Sequence, residues 1–134
     1  DGAQVPAELT TIEFLTDVRR VLRDGGVALW NLTDAAPFHY TRRVLAGLRG
    51  SFSEGLLATE PATLKGRRFG NILLAGSGAP LPIPALTRAY ASAAFPFRIL
   101  TGLQLGRFGE GWLPFTDTDG QRSPEPPDGR GFFR

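Results

Sequence analysis

The alternation of apolar and polar positions near the start of the chain predicts a helix followed by a buried strand. Apolar residues recur at helical spacing over residues 12–22, with charged residues between them. Thr10 and Glu13 have the spacing of a capping box, so the helix is expected to begin at Thr10. Glycines at 25–26 end it. Residues 27–32, VALWNL, then form a nearly continuous apolar run, which is typical of a strand covered on both faces.

The pattern continues with a second helix and two more strands. An apolar stripe over residues 38–52 predicts the helix, and EGLLATEP at 54–61 predicts the second strand. Strand, helix and strand at this spacing form a crossover unit, so the first two strands should be parallel. FGNILLAGS at 69–77 predicts a third strand. The short link before it favours an antiparallel arrangement with the second.

Three segments follow from this pattern. Residues 1–77 hold the predicted α/β unit, and residues 78–111 are expected to be a helical extension. Within that extension, residues 97–100 should be a short extended piece, and Thr101 should begin a final helix. Residues 112–134 are rich in proline, glycine and charge, which predicts a loose tail.

The first strand raises a question about its neighbours. It has apolar side chains for two faces, yet with only three strands it would lie at a sheet edge, and exposed edges are normally paired or blunted. We therefore expect a neighbouring strand that this chain does not contain. The chain starts at Asp1 and has no methionine, so we also expect an N-terminal portion outside this sequence.

Composition narrows the chemistry. The 134 residues are 42% hydrophobic and 21% charged, as in an ordinary single domain. There is no cysteine, which excludes disulfides, zinc thiolates and cysteine nucleophiles. We see no export leader or membrane span in the sequence and expect a cytoplasmic protein. Net charge is only +2, and arginine pairs at 19–20, 42–43 and 67–68 are interpreted as solvated faces, so neither nucleic acid nor membrane is an expected partner.

The order of these motifs resembles the spermidine synthase-like proteins, which have the class I S-adenosylmethionine-dependent methyltransferase fold. In that family an Asp-x-x-Asp motif precedes a loop with Pro and Ala and then L(T/Y)xxEF(F/Y)xxVxxxLxxGG. Residues 1–26 read DGAQVPAELTTIEFLTDVRRVLRDGG. The later EP and GRRFGNILL, at 60–61 and 66–74, resemble the family's proline loop and the strand after it.

The resemblance implies a fold class and an activity. The fold would be the C-terminal half of a Rossmann-like α/β methyltransferase sheet, with three strands, the last antiparallel and inserted between the others, flanked by helices. The activity would be that of a transferase in polyamine biosynthesis, moving an aminopropyl or methyl group from a sulfonium nucleoside.

The same resemblance implies how the function is divided. The cofactor-binding half would lie upstream, so no cofactor is expected on this chain. The parent protein would use S-adenosylmethionine or its decarboxylated form. The expected partner is the missing N-terminal half of the same fold, and the chain alone should be inactive. The alternative is a non-catalytic interaction module on the same scaffold that forms homodimers.

Four polar residues are candidates for substrate binding. Ligands bind outside the carboxyl ends of parallel strands, where Asn31, Asp34 and Glu60 are predicted. Asp1 would match the second aspartate of the family's motif. Asp34 has a structural alternative as a helix cap, Asn31 as a turn residue and Glu60 as an exposed loop residue. No catalytic residue and no metal ligand is assigned, because the family's proton acceptor, the first aspartate of that motif, would precede Asp1.

Overall fold

The computed structural model describes residues 4–94 and 96–127. Helices and strands alternate along most of this length, close to the predicted boundaries. A short 3₁₀ turn (Ala7–Leu9) comes first. The elements that follow are α1 (Ile12–Val21), β1 (Val27–Asp34), α2 (His39–Ser51), β2 (Glu54–Thr59), α3 (Pro61–Leu64), β3 (Gly70–Ser77), α4 (Ile83–Ala91), β4 (Arg98–Leu100) and α5 (Gly102–Gly109).

The four strands form one sheet in the order β1-β3-β2-β4. β3 is antiparallel to both of its neighbours, so β1 and β2 run parallel on either side of it. This confirms the predicted insertion of an antiparallel third strand between the other two. The fourth strand is the short extended piece expected at 97–100, which pairs with β2 through Ala58 and Ile99.

The main core lies on one face of the sheet, which we call the inner face. Helices α1, α2 and α5 cover it, and Leu15 from α1, Leu45 from α2 and Leu105 from α5 are buried there. β1, β3 and β2 contribute alternate residues to the same cluster, namely Trp30, Leu32, Leu57, Ile72 and Leu74. This alternation follows from the two-residue period of a strand.

The opposite face, which we call the outer face, is only partly covered. A second cluster joins Leu56, Ala58 and Ala75 of the sheet to side chains of α4 and of the segments around it. Above β1 the outer face is open, because Val27 is 46% and Leu29 is 63% exposed. The sheet order places β1 at an edge, as predicted, and the described part of the chain covers only one of its two faces.

The start of α1 differs from the prediction by one residue. Thr11, not Thr10, is the N-cap, and its Oγ1 accepts a hydrogen bond of 3.3 Å from the backbone N–H of Phe14. Thr10 is fully buried instead. Glu13 does not complete a capping box, since its carboxylate accepts a 3.0 Å hydrogen bond from the backbone N–H of Asp117. A partner more than a hundred residues away in sequence has replaced the local one.

Residues 112–127, which we call the C-terminal strap, have no regular secondary structure but are packed on the domain. Phe115 is fully buried, and its carbonyl accepts a 2.7 Å hydrogen bond from the backbone N–H of Ile12. The described part of the expected loose tail is thus held against the helices, because one aromatic side chain and several backbone groups find partners there. Residues 128–134 lie outside the described part.

In the part of the chain that the structure describes, no helix has both the length and the apolar character needed to cross a membrane.

Candidate functional site

The carboxyl ends of the two parallel strands lie at the same end of the sheet. Asp34 at the end of β1 is opposite Gly70, and Thr59 at the end of β2 is opposite Ile72, both on β3. Three of the four candidate residues, Asn31, Asp34 and Glu60, are therefore near this end. Asp1, the fourth, lies outside the described residues.

Asp34 is buried and uses both carboxylate oxygens to hold the start of α2. One oxygen accepts a 2.8 Å hydrogen bond from the backbone N–H of Ala35. The other accepts from the backbone N–H of Thr41 at 3.0 Å and from its hydroxyl at 2.7 Å. Phe38, the residue in the N-cap position, makes no side-chain cap. Asp34 supplies the hydrogen-bond acceptor that the first turn of α2 would otherwise lack. These contacts are those of a helix cap, the structural alternative given above for Asp34.

Tyr40 lies beside this cap with its side chain 4% exposed. Its hydroxyl faces Thr10 without a hydrogen bond of good geometry in the structure. Burial, with a smaller contribution from the negative charge of Asp34, raises the pKa of Tyr40 to about 12. The phenol is therefore neutral over the whole physiological range.

Asn31 points to the open outer face, two residues after Leu29, and is exposed. It could contact a ligand that approaches this face. A second amide, Asn71 on β3, is directly opposite Thr33 and is also exposed. Asn31 and Asn71 are thus diagonal neighbours on one face. The sequence placed Asn71 inside an apolar strand, and only the register with β1 puts it next to Asn31.

Glu60 follows β2 and is paired with Arg68 in a short ion pair. The two side chains are partly exposed, 31% for Glu60 and 51% for Arg68. The structure therefore separates the three candidates by their partners: Asp34 faces α2, Asn31 faces the outer side of β1, and Glu60 faces Arg68.

The C-terminal strap covers the end of β1, which the sequence did not indicate. The hydroxyl of Thr33 donates to Ser123 Oγ and to the carbonyl of Pro124, each at 3.2 Å. Ser123 also binds the segment before α1, since its Oγ accepts from the backbone N–H of Val5 at 2.8 Å and its carbonyl accepts from Gln4 Nε2 at 2.8 Å. Ser123 is 1% exposed, so it links three chain segments in a buried position.

Arg43 on α2 fixes the other part of the strap. Its guanidinium donates to the carbonyls of Leu113 and Pro114 at 2.9 and 3.1 Å and to the carboxylate of Asp119 at 2.6 Å. It also stacks 4.1 Å from the centre of the Phe115 ring. The hydrogen bond from Arg43, with further ones from Thr116, lowers the pKa of Asp119 to about 2.

The contacts of Arg43 change the interpretation of one of the arginine pairs seen in the sequence. Arg42 and Arg43 are partly buried, and Arg42 donates to the carbonyls of Pro37 and Phe108 at 2.8 and 2.6 Å. Both guanidinium groups of this pair bind backbone carbonyls, so the pair is not the solvated face expected from the sequence. Arg19 and Arg20 are exposed, as interpreted.

A groove of about 500 Å³ runs along the free edge of β1. Its floor is formed by residues 28–31, and its wall by Phe14 and Val18 of α1 together with Pro6 and Leu9. The indole N–H of Trp30 donates to the carbonyl of Leu9 at 3.0 Å and so closes the inner side. Among residues 4–94 and 96–127, no cluster of three or more His, Asp or Glu side chains could hold a metal ion.

Two parallel strands with a reversed strand between them, and helices on both faces, define part of a methyltransferase-like fold, which is a transferase scaffold. The comparison with solved structures agrees: a crystal structure of a probable spermidine synthase from Corynebacterium glutamicum matches the chain with a TM-score of 0.80 and 30% sequence identity. The match covers 87% of this chain and 44% of that one, so the chain spans less than half the length of that protein. The predicted resemblance to spermidine synthase-like proteins is confirmed. No protein-family model matches the chain, and a search of curated proteins finds no match either.

Proposed function

We propose that the chain is the C-terminal half of a spermidine synthase-like transferase. The observation that carries this proposal is the edge strand β1, where the apolar side chain of Leu29 is 63% exposed. A strand with apolar residues on both faces is typical of the interior of a parallel sheet. The matched crystal structure is more than twice the length of the matched region, which leaves room for the remaining strands.

The proposed activity of the parent protein is transfer of an aminopropyl or methyl group from decarboxylated or intact S-adenosylmethionine, within cytoplasmic polyamine biosynthesis. The described residues do not fit the nucleoside. Both oxygens of Asp34 are already bound to Ala35 and Thr41, and Glu60 is paired with Arg68. We therefore assign nucleoside binding to the other half of the fold and no step of the reaction to this chain alone.

The contribution of this chain to the parent would be positional. Asp34 fixes the start of α2 at the carboxyl end of β1. Ser123 holds Gln4 and Val5 in place before α1. Asn31 is accessible at the same end and is the best placed of the described candidates to touch an acceptor substrate. Correct positioning of reactants is a large part of catalysis when the leaving group is already activated.

The test compares two proteins by calorimetry: the 134-residue chain, and the same chain extended by the coding sequence upstream of Asp1. We expect S-adenosylmethionine, its decarboxylated form or methylthioadenosine to bind the extended protein and not the chain. Aminopropyl and methyl transfer to amines should likewise require the extension. If any of these nucleosides binds to the chain alone, the assignment of nucleoside binding to the upstream half is wrong. If the extended protein shows neither binding nor transfer, the proposed transferase activity is wrong.

A further inference from the structure

The loop between β1 and α2, residues 35–38, has an unusual backbone conformation at its last residue. Phe38 has φ 65° and ψ 37°, in the left-handed region that bulky residues rarely adopt. Among the residues that the structure describes, it is the one non-glycine residue with a positive φ. Such a conformation persists only where surrounding contacts hold it, and it is concentrated at ligand-binding and active sites. This loop directly follows the carboxyl end of β1, the end of an open α/β sheet at which ligands bind.

The contacts that hold the loop come from α5. The side chain of Phe38 is 3% exposed, and the centre of its ring lies 5.6 Å from that of Phe108 in the last turn of α5. The guanidinium of Arg42 joins the two segments, because it donates to the carbonyl of Pro37 at 2.8 Å and to the carbonyl of Phe108 at 2.6 Å. It also lies 4.0 Å from the centre of the Phe108 ring. Arg42 therefore fixes the loop to α5.

Asp34 holds the other end of the same loop, through the backbone N–H of Ala35. The loop is thus fixed at its beginning by a residue of β1 and at its end by a residue of α2 that binds α5. A guanidinium can donate in two directions and stack on an aromatic ring at once, whereas the ammonium group of a lysine is a compact point charge. The contacts at position 42 therefore require arginine.

We propose that Arg42 is a positioning residue of the transferase: together with Phe108 it holds residues 35–38 in the conformation that forms one wall of the acceptor site. This inference rests on the proposed function and gives α5, in the C-terminal extension, a part in it. Arg42 acts through the loop and does not touch the substrate. Nucleoside binding is assigned to the other half of the fold, so the loss of Arg42 should affect the acceptor and not the nucleoside.

Steady-state kinetics of the protein extended upstream of Asp1 test the role of Arg42. We expect R42A to lower kcat/KM for the acceptor amine by about tenfold or more, through a higher KM for that substrate, because a displacement of about 1 Å can cost about a hundredfold in rate. The KM for the nucleoside should not change. R42K should lie between the parent and R42A, since lysine keeps the charge but loses the second hydrogen bond and the stack. An unchanged acceptor KM in R42A would overturn the proposal.

The matched control is L48A at the opposite end of α2. Leu48 is fully buried and lies six positions after Arg42. Its truncation leaves a cavity and lowers stability, but it should not change the KM for the acceptor. If L48A raises that KM as much as R42A does, the effect of R42A is general destabilisation and the proposal is wrong.

Hydrogen exchange in the 134-residue chain tests the loop without any activity. The backbone N–H of Phe38 donates to the carbonyl of Ala35 at 2.9 Å, and that of Phe52, at the far end of α2, donates to Leu48 at 2.8 Å. We expect R42A to speed exchange at Phe38 by about tenfold and to leave Phe52 unchanged. Unchanged exchange at Phe38 in a protein that is active when extended would overturn this inference alone. An extended parent protein that transfers no group would overturn the proposed function, and this inference with it.

Discussion

At the scale of single residues, Asp34 stabilises the start of α2 from seven positions earlier in the chain. We expect Asp34→Ala to lower the free energy of unfolding by about 2 kcal/mol, because it leaves the buried N–H and hydroxyl of Thr41 without an acceptor. The measurement is the urea midpoint at neutral pH. Asp17→Ala is the control: Asp17 is 67% exposed and pairs with Arg20 at 3.4 Å, and such a surface pair contributes about 0.5 kcal/mol or less. Equal losses in the two variants would show that the cap adds nothing.

Tyr40 offers a pH-dependent prediction. The chain has two tyrosines, so Tyr90→Phe leaves Tyr40 as the one phenol. Its absorbance at 295 nm should titrate with a midpoint about 12, as burial raises its pKa. Because the folded pKa exceeds the ordinary value of 10.0, the contribution of Tyr40 to stability is complete below pH 10 and is lost as the pH rises towards 12.

Removing the ionisable hydroxyl of Tyr40 provides a control for this pH dependence of stability. Tyr40→Phe should lose less stability than the parent chain between pH 10 and pH 12, since phenylalanine cannot ionise. A phenol that titrates at its ordinary value of 10.0 in Tyr90→Phe would mean that Tyr40 is open to water in solution.

At the scale of elements, the regular helices and strands could be predicted because their signals are local. The period of apolar residues located α1, α2, β2 and β3, and the short link after β2 indicated that β3 would be antiparallel. The strap could not be predicted, because Pro, Gly and charge give the composition of a disordered tail. What orders it is long-range: Arg43 and Ile12 bind backbone carbonyls at 113–115.

The candidate site was predicted less well. The positions of Asn31, Asp34 and Glu60 near strand ends follow from the sequence. Their partners do not, although they are near in the chain, because the direction of each side chain decides which groups meet: Asp34 accepts from Thr41, seven positions later, and Glu60 pairs with Arg68, eight positions later.

The strap makes a stability prediction of its own. Phe115→Ala should cost about 3–5 kcal/mol, because it empties a fully buried aromatic site in the main core beside Tyr40. Leu113→Ala, two positions earlier and 74% exposed, should stay within about 0.5 kcal/mol of the parent chain. Chemical unfolding followed by tryptophan fluorescence measures both variants. Comparable small losses would mean that the strap is only loosely attached.

At the scale of the whole molecule, the proposed function depends on the edge of β1, where the apolar side chain of Leu29 is 63% exposed. In the parent transferase a parallel strand of the same polypeptide would pair with this edge, and both faces of β1 would then be covered.

This arrangement gives a prediction that tests the proposed function. In the protein extended upstream of Asp1, L29C should react more slowly with a thiol reagent than in the 134-residue chain, because the added half of the fold would cover its side chain. L113C should react equally fast in both proteins, since position 113 lies beside Arg43 of α2 and is 74% exposed. If L29C reacts equally fast in the two proteins, the outer face of β1 is open in the extended protein as well, and the proposed function loses its structural basis.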